Sequence, residues 1–254
     1  MIVAHIARRE LRSLFASPFG WSVLAVIGAA LGVLFFYQLR YFLEPPPEAV
    51  LMPELWGVTR IAIAPMLNWA AFLLALVIPL LTMRQLADER RLRTLALHLS
   101  APIGPAQFVF GKLLGTMVFV AICITLTLLP VLALTPTMRL DYGVIASALL
   151  ALALLSTSIS AFGLFMSSLT DNSALAGTVT LALVIVSWVL GAHTPGDIPA
   201  PAQTAMQYLS WQHHLEPGLR GLVTAPPLAF HGSIIALSLY FTIRRLRDAS
   251  RMMG

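Results

Sequence analysis

Six stretches of this chain run without a single Asp, Glu, Lys or Arg: Ser13 to Leu39, Ile61 to Met83, Leu113 to Met138, Tyr142 to Thr170, Asn172 to Gly196 and Gly221 to Ile243. Each reaches or exceeds the ~20 residues that a helix needs to cross the hydrocarbon of a bilayer. Lipid offers the backbone no hydrogen-bond partners, so such runs cross as helices, which satisfy their own N–H and C=O groups. The composition agrees: 11% of residues are charged and 58% hydrophobic, where a soluble domain carries roughly 25% charged residues. The expected fold is an all-α polytopic membrane protein with about six transmembrane helices.

A seventh charge-free run, Ile198 to Leu215, is interrupted by Pro199 and Pro201 and holds Gln203, Gln207, Gln212, His213 and His214. Those polar groups are costly in lipid, so this segment is expected at the interface or dipping part-way in.

Basic residues set the orientation. Arg8, Arg9 and Arg12, the cluster from Arg84 to Arg93, and Arg244, Arg245, Arg247 and Arg251 share one side of a six-span chain. The positive-inside rule makes that side cytoplasmic, with both termini on it. The other side holds Arg40, Arg60, Arg139 and Arg220 among Glu44, Glu48, Glu54, Asp141, Asp197 and Glu216. The net charge of +5 is therefore mostly a topology signal, and a nucleic-acid partner is disfavoured because these basic residues flank spans without interleaved surface aromatics. Cys123 is the single cysteine, and the first run is too long for a signal-peptide core, so it is expected to stay as an anchor.

The first turns place Val3, Ile6, Ala7, Leu11 and Leu14 on one helix face and His5, Arg8, Arg9 and Arg12 on the other, the pattern of a helix lying in the headgroup layer. Glu10 falls on the apolar side, where it either snorkels to water or pairs with an arginine from elsewhere in that layer. Gly28 and Gly32, like Gly111 and Gly115, stand at i,i+4 and let another helix approach closely, within the subunit or across a dimer. Asp171 and Asn172 form a tight turn with Ser173 as a possible helix cap.

Between the second and third spans, Arg84 with Asp88 and Glu89 with Arg93 form i,i+4 pairs, accompanied by Arg90 and Arg91, while Leu92, Leu95, Ala96 and Leu99 recur at helical spacing. Ser100 to Pro105 ends this helix. A solvated loop that fixed topology alone would not require the apolar stripe, so lipid headgroups or a protein pack against it.

Three stretches resemble the permease subunits of ABC-2 type transporters, in the branch named for gliding-motility permeases: "RRELRSLFASPFGW" with "GAALGVLFF", "IPLLTMRQLADERRLRTLALHLSAPIGPAQFVFGK", and "YLSWQHHLEPGLRGLV". The resemblance covers nearly the whole chain as one transmembrane domain. It implies an elbow helix over residues 1–16 with Glu10 on the family's acidic position, a cytoplasmic coupling segment over 84–104, and a re-entrant segment over 198–226 with His214 and Gly221 on matching positions. Glu89, Arg90, Thr94 and Leu95 match the family's "EERRxGTLE" pattern, from which Arg93, Ala96 and His98 depart; Pro227 stands where an Asp is common. The resemblance further implies an ABC ATPase partner on the cytoplasmic side, a second permease chain with spans one and five at the dimer interface, lipid contacts, and a place in the bacterial inner membrane.

No catalytic motif accompanies this pattern. Gly104 to Gly111 has the wrong spacing for a phosphate loop and Lys112 is followed by Leu113, so the sequence shows no ATP site of its own; the resemblance implies that ATP and Mg are held by the partner ATPase. The six histidines are scattered and predict no metal site. Asn68, Thr125, Thr127, Ser156, Ser158 and Ser160 are the main polar side chains within the spans and are expected to bond between helices. The function expected is that of a non-catalytic permease that exports an apolar or lipid-linked substrate or transmits force without moving a solute; the alternative is a membrane scaffold or assembly factor without transport.

Overall fold

In the computed structural model the described residues are 2–46, 57–91, 104–192 and 199–253, and they form helices and short connections. Helix α1 (Ile2–Ala16) ends at Ser17, whose hydroxyl accepts the Phe19 N–H at 3.2 Å, while Pro18 opens α2 (Pro18–Leu43). A proline in the first turn lacks only an N–H that the helix leaves unbonded. A π-helical turn (Thr59–Ile63) leads into α3 (Ala64–Thr82), and Met83 passes the chain to α4 (Arg84–Arg91).

Helix α5 (Pro105–Leu134) begins well before the charge-free run it contains, which places Lys112 inside the helix instead of at its edge. Asp141 caps α6 (Tyr142–Leu169), accepting the N–H groups of Gly143 and Val144 at 3.0 and 3.2 Å. The cap of α7 (Ser173–Ala192) is Asn172 in place of Ser173: its Oδ1 accepts from Ala174 and Leu175 at 3.0 and 3.2 Å. Two short helices, α8 (Ala200–Leu209) and α9 (Trp211–Leu219), precede α10 (Ala225–Met253). Six of the helical segments are long and apolar enough to cross a membrane: α2, Thr59–Arg91, α5, α6, α7 and α10.

Helix α6 is the axis of the bundle and touches α3, α4, α5, α7, α9 and α10. Its small residues Ala148, Ser156, Ser158, Ser160, Ala161 and Gly163 are buried, the composition that brings helix backbones together where no hydrophobic force separates protein from solvent. Helix α2 is peripheral. It buries Gly20, Val23, Ile27, Leu31 and Phe35 and leaves Val26, Val33, Phe36 and Tyr37 exposed.

Two faces result. Helix α1, α4, the turn between α6 and α7, and the end of α10 form the face that carries both termini; Arg245 of α10 donates to the carbonyl of Ser168 at 2.9 Å. The π-helical turn, the connection between α5 and α6, and helix α9 form the distal face. Polar groups inside the spans depart in part from the expected bonding between helices. Thr125 and Thr127 donate within α5, to Ala121 and Ile124. Ser158 does reach His231 of α10 at 3.0 Å, whereas the hydroxyls of Ser156 and Ser160 have no partner among the described residues.

Candidate functional site

The charged residues at the terminal face converge on the start of α4. This short helix buries Gln85, Leu86 and Ala87 and exposes Arg84 and Arg91. Its first amides are satisfied from another span: the Ser167 hydroxyl of α6 accepts the N–H groups of Leu86 and Ala87 at 3.1 and 3.0 Å and donates to the Met83 carbonyl at 2.9 Å. That is the work of an N-cap, supplied from a residue some eighty positions along the chain. The junction just before α4 sits against α6 closely enough that a Cβ on Gly163 would fall 2.1 Å from Thr82 Oγ1.

The other flank of α4 is ionic. Lys112 of α5 is 1% exposed, and its ammonium lies 2.8 Å from Glu10 of α1 and 2.9 Å from Glu89 of α4. Arg9 reaches Glu89 at 3.2 Å and Glu10 at 3.7 Å. The ammonium also stands 5.1 Å from the centre of the Phe108 ring, within reach of a cation–π contact. A buried lysine is tolerated only with its charge matched and its donors used, and two carboxylates from two other helices do both. One turn along α5, the Thr116 hydroxyl accepts from Gln85 of α4 and donates to the Lys112 carbonyl at 3.2 Å.

Helix α1 reaches this cluster because α5 is bare beneath it: Cβ atoms on Gly111 and Gly115 would fall 2.7 Å from Ile6 and Glu10 side chains. Of the two glycine pairs expected to receive a helix, Gly111 and Gly115 therefore receive α1. A Cβ on Gly28 would stand 3.0 Å from Leu126 of α5, and one on Gly32 would meet no side chain or neighbouring backbone within 4 Å.

The expected residues distribute as follows. Arg9, Glu10 and Glu89 meet at Lys112: Glu10, expected either to snorkel to water or to pair with an arginine, pairs chiefly with a lysine, and Glu89 points into the bundle. Asp88 pairs with Arg91 at 3.5 Å, and Arg90 with Asp171 at 3.8 Å. Arg8 and Arg12 are exposed. Arg93, Thr94, Leu95 and Leu99 lie outside the described residues. His214 and Gly221 are at the distal face: His214 Nε2 is 3.0 Å from the Tyr208 carbonyl and its ring stacks on Phe230, while Gly221 adopts φ 88° against Val144. Lys112 and Ser167 carry the site and were missed by sequence reasoning. The available signal for Lys112 was that it and Glu10 are each a lone charge on an otherwise apolar helical face.

The family model described as "ABC-2 family transporter protein" matches residues 58–243, most of the chain. The chain belongs to the ABC-2 transporter family. It is a permease component of an ABC transporter, of a kind that is generally a non-catalytic transmembrane subunit working with an ABC ATPase. No curated protein matches it.

Proposed function

We propose that this permease exports an apolar or lipid-linked substrate across the bacterial inner membrane, as a pair of permease chains driven by two cytoplasmic ATPase subunits that hold ATP and Mg. Both termini face the cytoplasm, α1 is the elbow helix, and residues 84–104 are the segment on which the ATPase acts. His214 and Gly221 belong to the re-entrant segment on the external side.

The observation that carries this reading is the convergence of α1, α4 and α5 on Lys112. A push on α4 is resisted on one flank by ion pairs to α1 and α5 and on the other by the Ser167 cap on α6. Movement imposed at α4 is therefore passed to three other helices as a unit, since close-packed interiors transmit displacement. The exposed face of α2, with Val33, Phe36, Tyr37 and the open Gly32, suits the second permease chain. The cargo class rests on the scarcity of charge along α2 and α7.

The test is co-purification of the full chain with its candidate ATPase and measurement of ATP hydrolysis. Arg84→Glu, on the exposed side of α4, and Leu95→Asp should abolish the complex; an unchanged complex in both would refute the assignment of residues 84–104. Lys112→Met should keep the complex and uncouple hydrolysis from transport.

A further inference from the structure

The distal face opens into a cavity of about 1070 Å³, lined among others by Arg60, Arg139, Arg220, Asn68, Gln212 and His213. Its size is just above the ~300–1,000 Å³ typical of small-ligand sites, and its lining is rich in guanidinium groups. We propose that it is a binding site for a phosphate-bearing polar headgroup, with Arg60 and Arg139 holding the phosphate.

Two carboxylates share the cavity, and both are engaged. Glu216 pairs with Arg220. Asp141 Oδ1 accepts the amides that open α6. Among the described residues, Arg60 and Arg139 have no carboxylate partner. The segments that carry them are held together, because the Asp141 N–H donates to Thr59 Oγ1 at 3.0 Å and so ties the turn carrying Arg60 to the connection carrying Arg139. Arg60 lies in the π-helical turn Thr59–Ile63, a local departure from α geometry that often marks a functional position.

Simple topology offers no reason for these arginines. In the orientation proposed above they stand on the outer side, against the positive-inside bias, and both line a concavity. Planar guanidinium forks match the oxygens of a phosphate. Asn68 and Gln212 bring neutral amide side chains to the lining, suited to hydroxyls attached to the phosphate. The lining runs from Gly57 to Asn68, about three helical turns along the chain, and the volume is large enough to receive a headgroup and not only a free ion.

Binding to the purified full-length chain in detergent decides this, using short-chain phosphatidylglycerol, inorganic phosphate and a nonionic alkyl glucoside as probes. Phosphatidylglycerol should bind at least about tenfold more weakly to Arg60→Gln/Arg139→Gln, while Arg40→Gln, outside the cavity, should match the wild type. The Arg60→Lys/Arg139→Lys chain should bind with intermediate strength, which a merely misfolded cavity would not do. Inorganic phosphate binding as tightly as the lipid would overturn the headgroup and leave a free-anion site in its place. Binding of neither anionic probe, equal binding of the glucoside, or lipid binding indifferent to the glutamine substitutions would overturn the proposal. The assay contains no ATPase, so its failure leaves the coupling reading standing.

Discussion

Lys112 stands 2.8 Å from Glu10 and 2.9 Å from Glu89, joining in one ammonium the first helix of the chain, the third span and the helix that follows the second. Removing one member of a buried ion pair leaves a charge without compensation, typically at a cost of about 3–5 kcal/mol. Lys112→Met should lower the thermal unfolding midpoint in detergent. Adding Glu10→Gln and Glu89→Gln should restore part of it, since the neutral set leaves no buried charge. A triple variant no more stable than Lys112→Met would contradict the pairing.

The glycines offer a separate test of the proposed second permease chain. Gly111→Val places carbon where Ile6 already stands and should destabilise the chain by about 1–3 kcal/mol, the usual cost of overpacking. Gly32→Val meets nothing within 4 Å and should leave the monomer's unfolding unchanged. A shift from dimer to monomer on size-exclusion chromatography of the Gly32 variant would report the second permease chain directly.

Ser167→Ala removes the acceptor of two α4 amides. Loss of a cap is worth about 1 kcal/mol, so hydrogen exchange at Leu86 and Ala87 should accelerate roughly fivefold, with amides in the middle of α6 unaffected. Equal exchange in variant and wild type would show that α4 does not depend on this hydroxyl.

Burial lowers the pKa of His214 from its ordinary 6.5, opposed by its bond to the Tyr208 carbonyl and reinforced by His213. The unfolded chain then takes up this proton before the folded one does. The contribution to stability is intact above the ordinary value and falls as pH drops through 6.5 toward the folded pKa, by at most about 1.4 kcal/mol per pH unit. His213 and His231 stand beside it, so the informative quantity is the difference between wild type and His214→Gln. That difference should narrow between pH 7.5 and 5.5; a constant gap would exclude His214 as a source of acid sensitivity.

The bilayer makes much of this fold readable from sequence, because one physical length governs every span. The first helix was equally legible, since Val3, Ile6, Leu11 and Leu14 repeat on one face. The site was legible only as separate parts. Glu10 and Lys112 lie 102 residues apart, and nothing local to either says that Gly111 and Gly115 clear the path between them. Glu89 reads as the partner of Arg93 on i,i+4 spacing, yet tertiary packing turns it toward a lysine on another helix. The cap of α4 could not be found by inspecting the residues before it, because Met83 has no side-chain acceptor for the task and Ser167 comes from α6.

That borrowed cap has an evolutionary consequence. A helix whose beginning is fastened to a different span does not depend on its own downstream sequence for its placement. If the ATPase acts on residues 84–104 as proposed, those beyond Arg91 are free to diversify with whichever motor subunit the cell supplies, while the transmission behind them stays the same. Exchanging that stretch between related permeases should therefore redirect partner choice without rebuilding the bundle.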